Sequence, residues 1–445
     1  MYFIYRILTA VSVIFLAPYY ALRGWRRGEA FRTLGERFGC LSREMRARAD
    51  GSRETPRPKA IWIHAVSVGE VLATKPLAEA LKRRFDSSAV FVSTTTETGQ
   101  RLARERLAFV DGIFYFPVDW VVPVRRALSR IRPQLVIVME TEIWPNFLRE
   151  ARRQNIPVIF ANARISARSF ARFKRWRFLV GPFFERVLAD AELFLAQTPD
   201  DGARLAEMGA PEHQIEVTGN LKYDTEQPAP SRFGLWLEGE IQRQERWPVI
   251  VAGSVVADEE EAVLAGYDIV QRRWRRALLV LAPRKPDRFE LAATIASAGG
   301  WNVVRRSRLD LDGALDESAD VVVVDTIGEL AGLYRLADAV FVGGSLVPAG
   351  GHNILEPAWF AKPPVFGPFM DNFLDMATQF LNSHAAIEIH SGQQLGKVWV
   401  QLIENSGVRE RMGRAAYEIS ERNRGATRRS IERIASVFSQ PEPSA

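Results

Sequence analysis

The chain has 445 residues, 47% of them apolar and 25% charged, with a net charge of +6. That is material for two or three packed domains, and it excludes a disordered, collagenous or multi-span membrane protein. One cysteine, Cys40, excludes an intrachain disulfide framework and a cysteine-based zinc cluster, and the five histidines lack the paired spacing of a metal site.

The first feature in chain order is an apolar N-terminus. Residues 2–22 are interrupted only by Arg6, and the 16 residues from Ile7 to Leu22 are uncharged. The run falls just short of the ~20 residues that span a bilayer core. Tyr2, Tyr5, Tyr19, Tyr20 and Trp25 lie at its ends, where an aromatic belt sits, and Arg23, Arg26 and Arg27 beyond it put the body of the protein on the cytoplasmic side. Residues 1–23 therefore read as a membrane anchor, and residues 24–59 as a charged helical segment and linker.

From there short apolar runs alternate with helical patterns. Strands are expected at 61–64, 90–93, 135–139, 158–161, 193–196 and 215–218. After a break at 227–231 (QPAPS) a second series is expected at 249–252, 278–282, 302–305, 321–325, 339–342 and 364–367. Near-continuous β-branched runs between helices predict parallel strands buried on both faces. Two such series predict an α/β chain with two doubly wound, Rossmann-like domains, at 60–228 and 229–430, facing one another across a cleft. Residues 431–445 read as a C-terminal tail, disordered from Gln440.

Chemistry in such domains gathers at the carboxyl ends of strands. The first strand opens into HAVSVGE, which brings Glu70 to a helix start as either a cap or a general base. The third runs into METEIWP, where Glu140 and Glu142 leave a buried strand. In TGNLKYD, Lys222 is either a surface lysine or a cation neutralising developing negative charge. In the second series, Pro283 and Arg284 close a strand, and an arginine there suits bidentate phosphate contact. Thr326-Ile327-Gly328-Glu329 is a strand-to-helix turn whose N–H groups suit a phosphate. Gly343-Gly344-Ser345 and the run Gly350-Gly351-His352-Asn353-Ile354-Leu355-Glu356 add glycines, a His-Asn pair and a glutamate placed for a ribose. Together they predict a nucleotide in the second domain and an acceptor at the first. No phosphate-loop or dinucleotide fingerprint is present, which disfavours ATP hydrolysis and hydride transfer. No protein-bound metal is expected.

A basic stretch over residues 163–184 carries Arg164, Arg168, Arg172, Lys174, Arg175 and Arg177, interleaved with six aromatic residues and no acid. Arg164, Arg168, Arg172 and Arg175 share one helical face, and that chemistry suits an anionic membrane surface better than a nucleic acid.

These strings resemble the 3-deoxy-D-manno-octulosonic acid (Kdo) transferases of lipopolysaccharide synthesis. The resemblance runs through the hydrophobic N-terminus, HAVSVGE, METEIWPN, ANARISARS, TGNLKYD, the Pro-Arg strand end, DTIGEL and GGSLVPAGGHNILEP. It implies a GT-B fold, CMP-Kdo as donor substrate with no cofactor, and a lipid A precursor (lipid IVA) as acceptor at the cytoplasmic face of the inner membrane. It further implies Glu70 as catalytic base and Glu140 and Lys222 as transition-state stabilisers. Pro283, Arg284, Ile327, Gly328, Glu329, Asn353, Ile354, Leu355 and Glu356 become the CMP contacts. The chain departs from the pattern at Val255 and Val256, where relatives read Thr-His, and at Lys285, where they read His. The rival readings are a GT-B enzyme with another donor or lipid, and a catalytically silent membrane scaffold.

Overall fold

The computed structural model describes residues 2–7, 9, 30–42, 45, 47–48, 59–225 and 227–439. The chain divides into two units, Met1–Thr225 with Asn423–Ala445, and Glu226–Arg422.

The first unit is built on a seven-stranded parallel sheet ordered β3-β2-β1-β4-β5-β6-β7. Its strands are β1 Ala60–His64, β2 Ala89–Thr94, β3 Gly112–Tyr115, β4 Leu135–Met139, β5 Val158–Ala163, β6 Leu193–Ala196 and β7 Ile215–Val217. Side chains alternate across it, as a strand requires. Trp62, Phe91, Phe160 and Phe194 enter one core, and Ile61, Ile63, Val90, Ile137 and Ile159 the other. Strand β3 was not expected. Four residues opening on a glycine after Asp111 carry too little periodicity to be read.

The second unit repeats the plan with β8 Val249–Val255, β9 Leu278–Pro283, β10 Val303–Arg305, β11 Val321–Val323, β12 Ala339–Val342, β13 Val365–Phe366 and β14 Ile387–Glu388. Their order is β10-β11-β9-β8-β12-β13-β14, all parallel. Here the unexpected strand is β14, two residues long. All strand carboxyl ends of one sheet share an edge, so the turns after β9, β11, β12 and β8 meet there.

The C-terminal division differs from the sequence reading. The chain leaves the second unit after Arg422, and residues 431–438, read as tail, complete the helix Ala426–Phe438. Ala426, Ile431, Ile434 and Phe438 of that helix fill the first unit's core beside Leu77, Leu81 and Leu221. Residues 440–445 lie outside the described residues, as do most of the expected anchor and the linker at 50–58.

What is described of the N-terminus is helical at residues 2–7. The Tyr2 and Tyr5 hydroxyls donate to Asp190 (2.7 Å) and Asp119 (2.8 Å), and Arg6 donates to Asn146 and pairs with Glu150 at 3.2 Å. Phe3, Ile4 and Ile7 face outward. No described helix is long and apolar enough to cross a membrane.

Candidate functional site

In the first unit the geometry starts from the turn after β1. Ser67 caps the helix Val68–Arg84, its Oγ accepting the Glu70 N–H at 3.3 Å. The Glu70 carboxylate accepts the N–H groups of Val66 at 2.8 Å and Ser67 at 3.1 Å in return. This reciprocal capping box leaves Glu70 only 4% exposed. Burial pushes its carboxyl up to about 7, the charge of Glu140 adds to the rise, and hydrogen bonding to Val66 and Ser67 opposes it. A carboxylate has about four lone-pair sites, so two stay open after the cap is made.

Glu140 leaves β4 in the left-handed region at φ 53°, with its N–H held by the Ala161 carbonyl at 2.9 Å. Thr141 ties the same loop to the backbone of Arg164 through two bonds of 2.7 and 2.9 Å. Glu142 is also raised, by burial first and by Glu140 second. Lys222 reaches this group from the turn Leu221–Asp224 that follows β7, the edge strand of the sheet. Asn162 at the end of β5 accepts the Leu221 N–H at 2.9 Å, and the Asn220 side chain accepts that of Lys222 at 2.9 Å. The turn is thereby folded inward, and Lys222 Nζ stands 3.6 Å from Glu140 Oε1. Asp224, two positions on, accepts the N–H groups of Gly425 (2.6 Å) and Thr427, so it caps the returning C-terminal helix. The structure thus brings Glu70, Glu140, Glu142 and Lys222 together.

His64 belongs to the core instead. It is fully buried, stacked on Phe116 with ring centroids 3.8 Å apart, and burial drives its pKa down to about 3. A neutral imidazole in that position packs and does not shuttle protons near neutral pH.

In the second unit Arg284 follows β9, exposed, with its N–H donated to the Val255 carbonyl at 2.8 Å. Its charge is felt at His352, in the loop before the helix Leu355–Ala358, and at Glu356 in that helix's first turn. Glu356 is pushed up to about 7 by burial, with Arg284 and the Asn353 side chain pulling it back. His352 is driven down to about 4 by burial and then by Arg284, and its Nε2 is enclosed without a partner. Arg284, His352, Asn353 and Glu356 therefore form one constellation. Ile354 and Leu355 are fully buried, so they offer a ligand backbone only, and Pro283 is buried within β9.

The turn after β11 is pre-set. Arg306 holds Glu329 at 3.1 and 3.2 Å, and the Thr326 hydroxyl donates to the same carboxylate. Gly328 takes φ 93° with open space where a Cβ would stand, so conformation alone demands glycine there. Ile327 is 72% exposed at the tip. Among the described residues no cluster of His, Cys, Asp and Glu is arranged to hold a metal ion.

Known proteins match this chain along most of its length. Residues 32–225 fit the family model described as 3-deoxy-D-manno-octulosonic-acid transferase (kdotransferase). The 3-deoxy-D-manno-octulosonic acid transferase of Haemophilus influenzae is 33% identical over 408 residues, 90% of each chain. That of Bordetella pertussis is 34% identical over 429 residues, 94% of this chain and 96% of its own. The chain belongs to the Kdo transferase family. It is a glycosyltransferase by that membership.

For this Kdo transferase the architecture also has distant relatives. The UDP-GlcNAc 2-epimerase of Neisseria meningitidis superposes with a TM-score of 0.55 over 85% of this chain and all of its own, at 14% identity. That likeness concerns the fold alone, a GT-B-like pair of α/β units. The family departures at Val255 and Val256 also become intelligible. The Val255 side chain lies in the core of the second unit, while its carbonyl accepts the Arg284 N–H. Val256 contributes its N–H, 3.0 Å from Glu259 Oε2. At both positions the backbone makes the contacts, so apolar side chains are tolerated. Lys285 is exposed. Sequence reading missed Glu259, Asn162 and Asp224, whose roles depend on partners 59 to 201 positions or more distant in the chain, or on backbone donors.

Proposed function

We propose that this enzyme transfers Kdo from CMP-Kdo to a lipid A precursor by direct displacement, with Glu70 as general base. The observation that carries the reading is a buried carboxylate pushed to about 7 beside the Glu140–Lys222 pair. A group titrating near the working pH is both free to accept a proton and basic enough to take one. An acceptor hydroxyl oxygen forms the new bond to the anomeric carbon of Kdo, and its proton passes to Glu70. The bond from that carbon to the phosphate oxygen breaks with its electron pair, and CMP leaves. Glu140 orients Lys222 through their ion pair, and the ammonium offsets negative charge developing at the reacting centre. Arg284, the turn Ile327-Gly328-Glu329 and the Asn353–Glu356 segment hold the CMP moiety.

The acceptor is a lipid, and two features support work at the cytoplasmic face of the inner membrane. The helix Ala167–Leu188 exposes Trp176, Phe178 and Leu179, with Arg168, Arg172, Arg175 and Arg177 also exposed. The N-terminal residues Phe3, Ile4 and Ile7 are exposed as well. Apolar tips with cations suit an anionic headgroup layer. Replacing Phe178 and Arg175 together by Asp is expected to shift the protein from pelleting with anionic vesicles toward the supernatant. Equal pelleting of the two proteins removes this helix from the membrane surface.

The activity itself is tested by mass spectrometry of a tetra-acylated lipid A precursor incubated with the purified protein and CMP-Kdo generated in place. A gain of one or more Kdo units is expected. No gain, with another Kdo transferase active in parallel, overturns the assignment.

A further inference from the structure

The glycine-rich loop after β12 has the look of an anion cradle, and its anion is already supplied by the chain. Glu259, in the turn after β8, is fully buried. Its Oε2 accepts the N–H groups of Val256 at 3.0 Å and Gly344 at 2.7 Å. Its Oε1 accepts those of Ser345 at 2.9 Å and Leu346 at 2.8 Å. Successive backbone donors converging on one carboxylate form a nest of the kind that elsewhere receives phosphate. Burial raises the Glu259 carboxyl, and the four backbone bonds counter it.

What this carboxylate touches explains why a buried anion is kept. A Cβ at Gly343 would stand 2.6 Å from the Ser254 carbonyl and 2.8 Å from Glu259 Oε2, so the loop passes as close as a backbone can. Gly344, at φ 69°, has the His352 ring 2.8 Å from where a Cβ would be, and its carbonyl accepts the Gly351 N–H at 2.7 Å. On the other side, Val256 adjoins Val255, whose carbonyl holds the Arg284 N–H. One carboxylate therefore reaches both halves of the Arg284–His352–Asn353–Glu356 constellation through the backbone, without belonging to it.

We propose that Glu259 is a positioning residue for the donor site, an internal anion that sets Arg284 and the 351–356 loop in register. The proposal rests on the reading of that constellation as the CMP-binding site. Glutamine at 259 keeps the shape but turns an amide donor toward two N–H groups, leaving buried donors unmet. Aspartate keeps the charge one methylene short.

The experiment is calorimetric titration of CMP into the full-length protein in detergent, with thermal unfolding of each variant in parallel. Glu240, a largely buried carboxylate that accepts the Leu315 N–H at 2.7 Å and pairs with Arg243, supplies the control. Glu259→Gln is expected to raise the Kd for CMP about tenfold or more, Glu259→Asp less so, and Glu240→Gln not at all. In turnover, KM for CMP-Kdo should rise with kcat nearly unchanged. Glu259→Gln combined with His352→Ala should lose less affinity than the two single changes summed, because both act on one loop. Should Glu259→Gln fail to fold, Glu259→Asp carries the same comparison. Wild-type affinity in a folded Glu259 variant, additive losses, or a fall in kcat at constant KM overturns the proposal. Failure of the wild-type protein to bind CMP overturns instead the reading of the site on which it rests.

Discussion

Glu70→Gln is expected to lower kcat by about 10²–10⁴-fold while leaving CMP affinity and the unfolding temperature close to those of the wild type. The substitution separates the capping that the geometry shows from the general-base role proposed for the same side chain. As the capping-box residue, Glu70 accepts the Val66 and Ser67 N–H groups, and glutamine serves at that position too. As a base it needs the charge that glutamine lacks. A residue that only caps would leave turnover intact in Glu70→Gln and lose stability only in Glu70→Ala. The pH profile gives an independent readout. With Glu70 as the proposed base its deprotonated form is the active one, so kcat/KM should rise with pH through about 7. Glu140 is the second cause of the raised value, so Glu140→Gln should move that acid limb to lower pH, whatever it does to the maximal rate. An acid limb that stays put in Glu140→Gln rules out Glu70 as the titrating group. Stability runs the opposite way. Between the usual 4.5 and about 7 the folded state holds a proton that the unfolded state has released, so this group's contribution falls as pH rises through that window. Glu70→Gln should accordingly be more stable relative to the wild type at pH 8 than at pH 5.

The alternation of apolar runs made two parallel sheets legible, because a strand buried on both faces must be apolar throughout. VIVM before Glu140 and LLVLAP before Arg284 are strings of that kind, and each delivers its charged residue to a sheet edge. The short strands β3 and β14 were hidden, since their backbone bonds to neighbours and not their side chains define them. The C-terminal helix was misread for a related reason. Its apolar positions Ala426, Ile431 and Ile434 are sparse among arginines, and their partners Leu77 and Leu221 lie hundreds of positions earlier. At the site, Glu70, Glu140 and Lys222 could be named one by one from strand ends, but their meeting depends on Asn162 drawing the 221–224 turn inward. The glycine loop was legible as part of a nucleotide site, whereas Glu259, which its backbone N–H groups enclose, was not. Four backbone donors leave no trace in a sequence.

Arg284→Ala is expected to weaken CMP binding by about 10–100-fold, the loss of a charge-assisted hydrogen bond to phosphate. The surroundings of the residue make the change unusually readable. Arg284 makes no side-chain hydrogen bond or ion pair with another described residue, so its removal costs little in folding. Its charge lowers both Glu356 and His352. Without it Glu356, already at about 7, should rise further, and more of it will be protonated at neutral pH. A protonated carboxyl offers one oxygen fewer as an acceptor to a ribose hydroxyl. The loss of affinity in Arg284→Ala should therefore shrink as pH rises and Glu356 ionises again. Arg284→Lys distinguishes the two contributions. It restores the charge, and with it the Glu356 value, but not the planar fork that grips two phosphate oxygens. Affinity recovered fully by lysine would make Arg284 a remote charge; affinity recovered only in its pH dependence would make it a direct phosphate ligand. Unchanged CMP binding in Arg284→Ala would remove the residue from the donor site altogether.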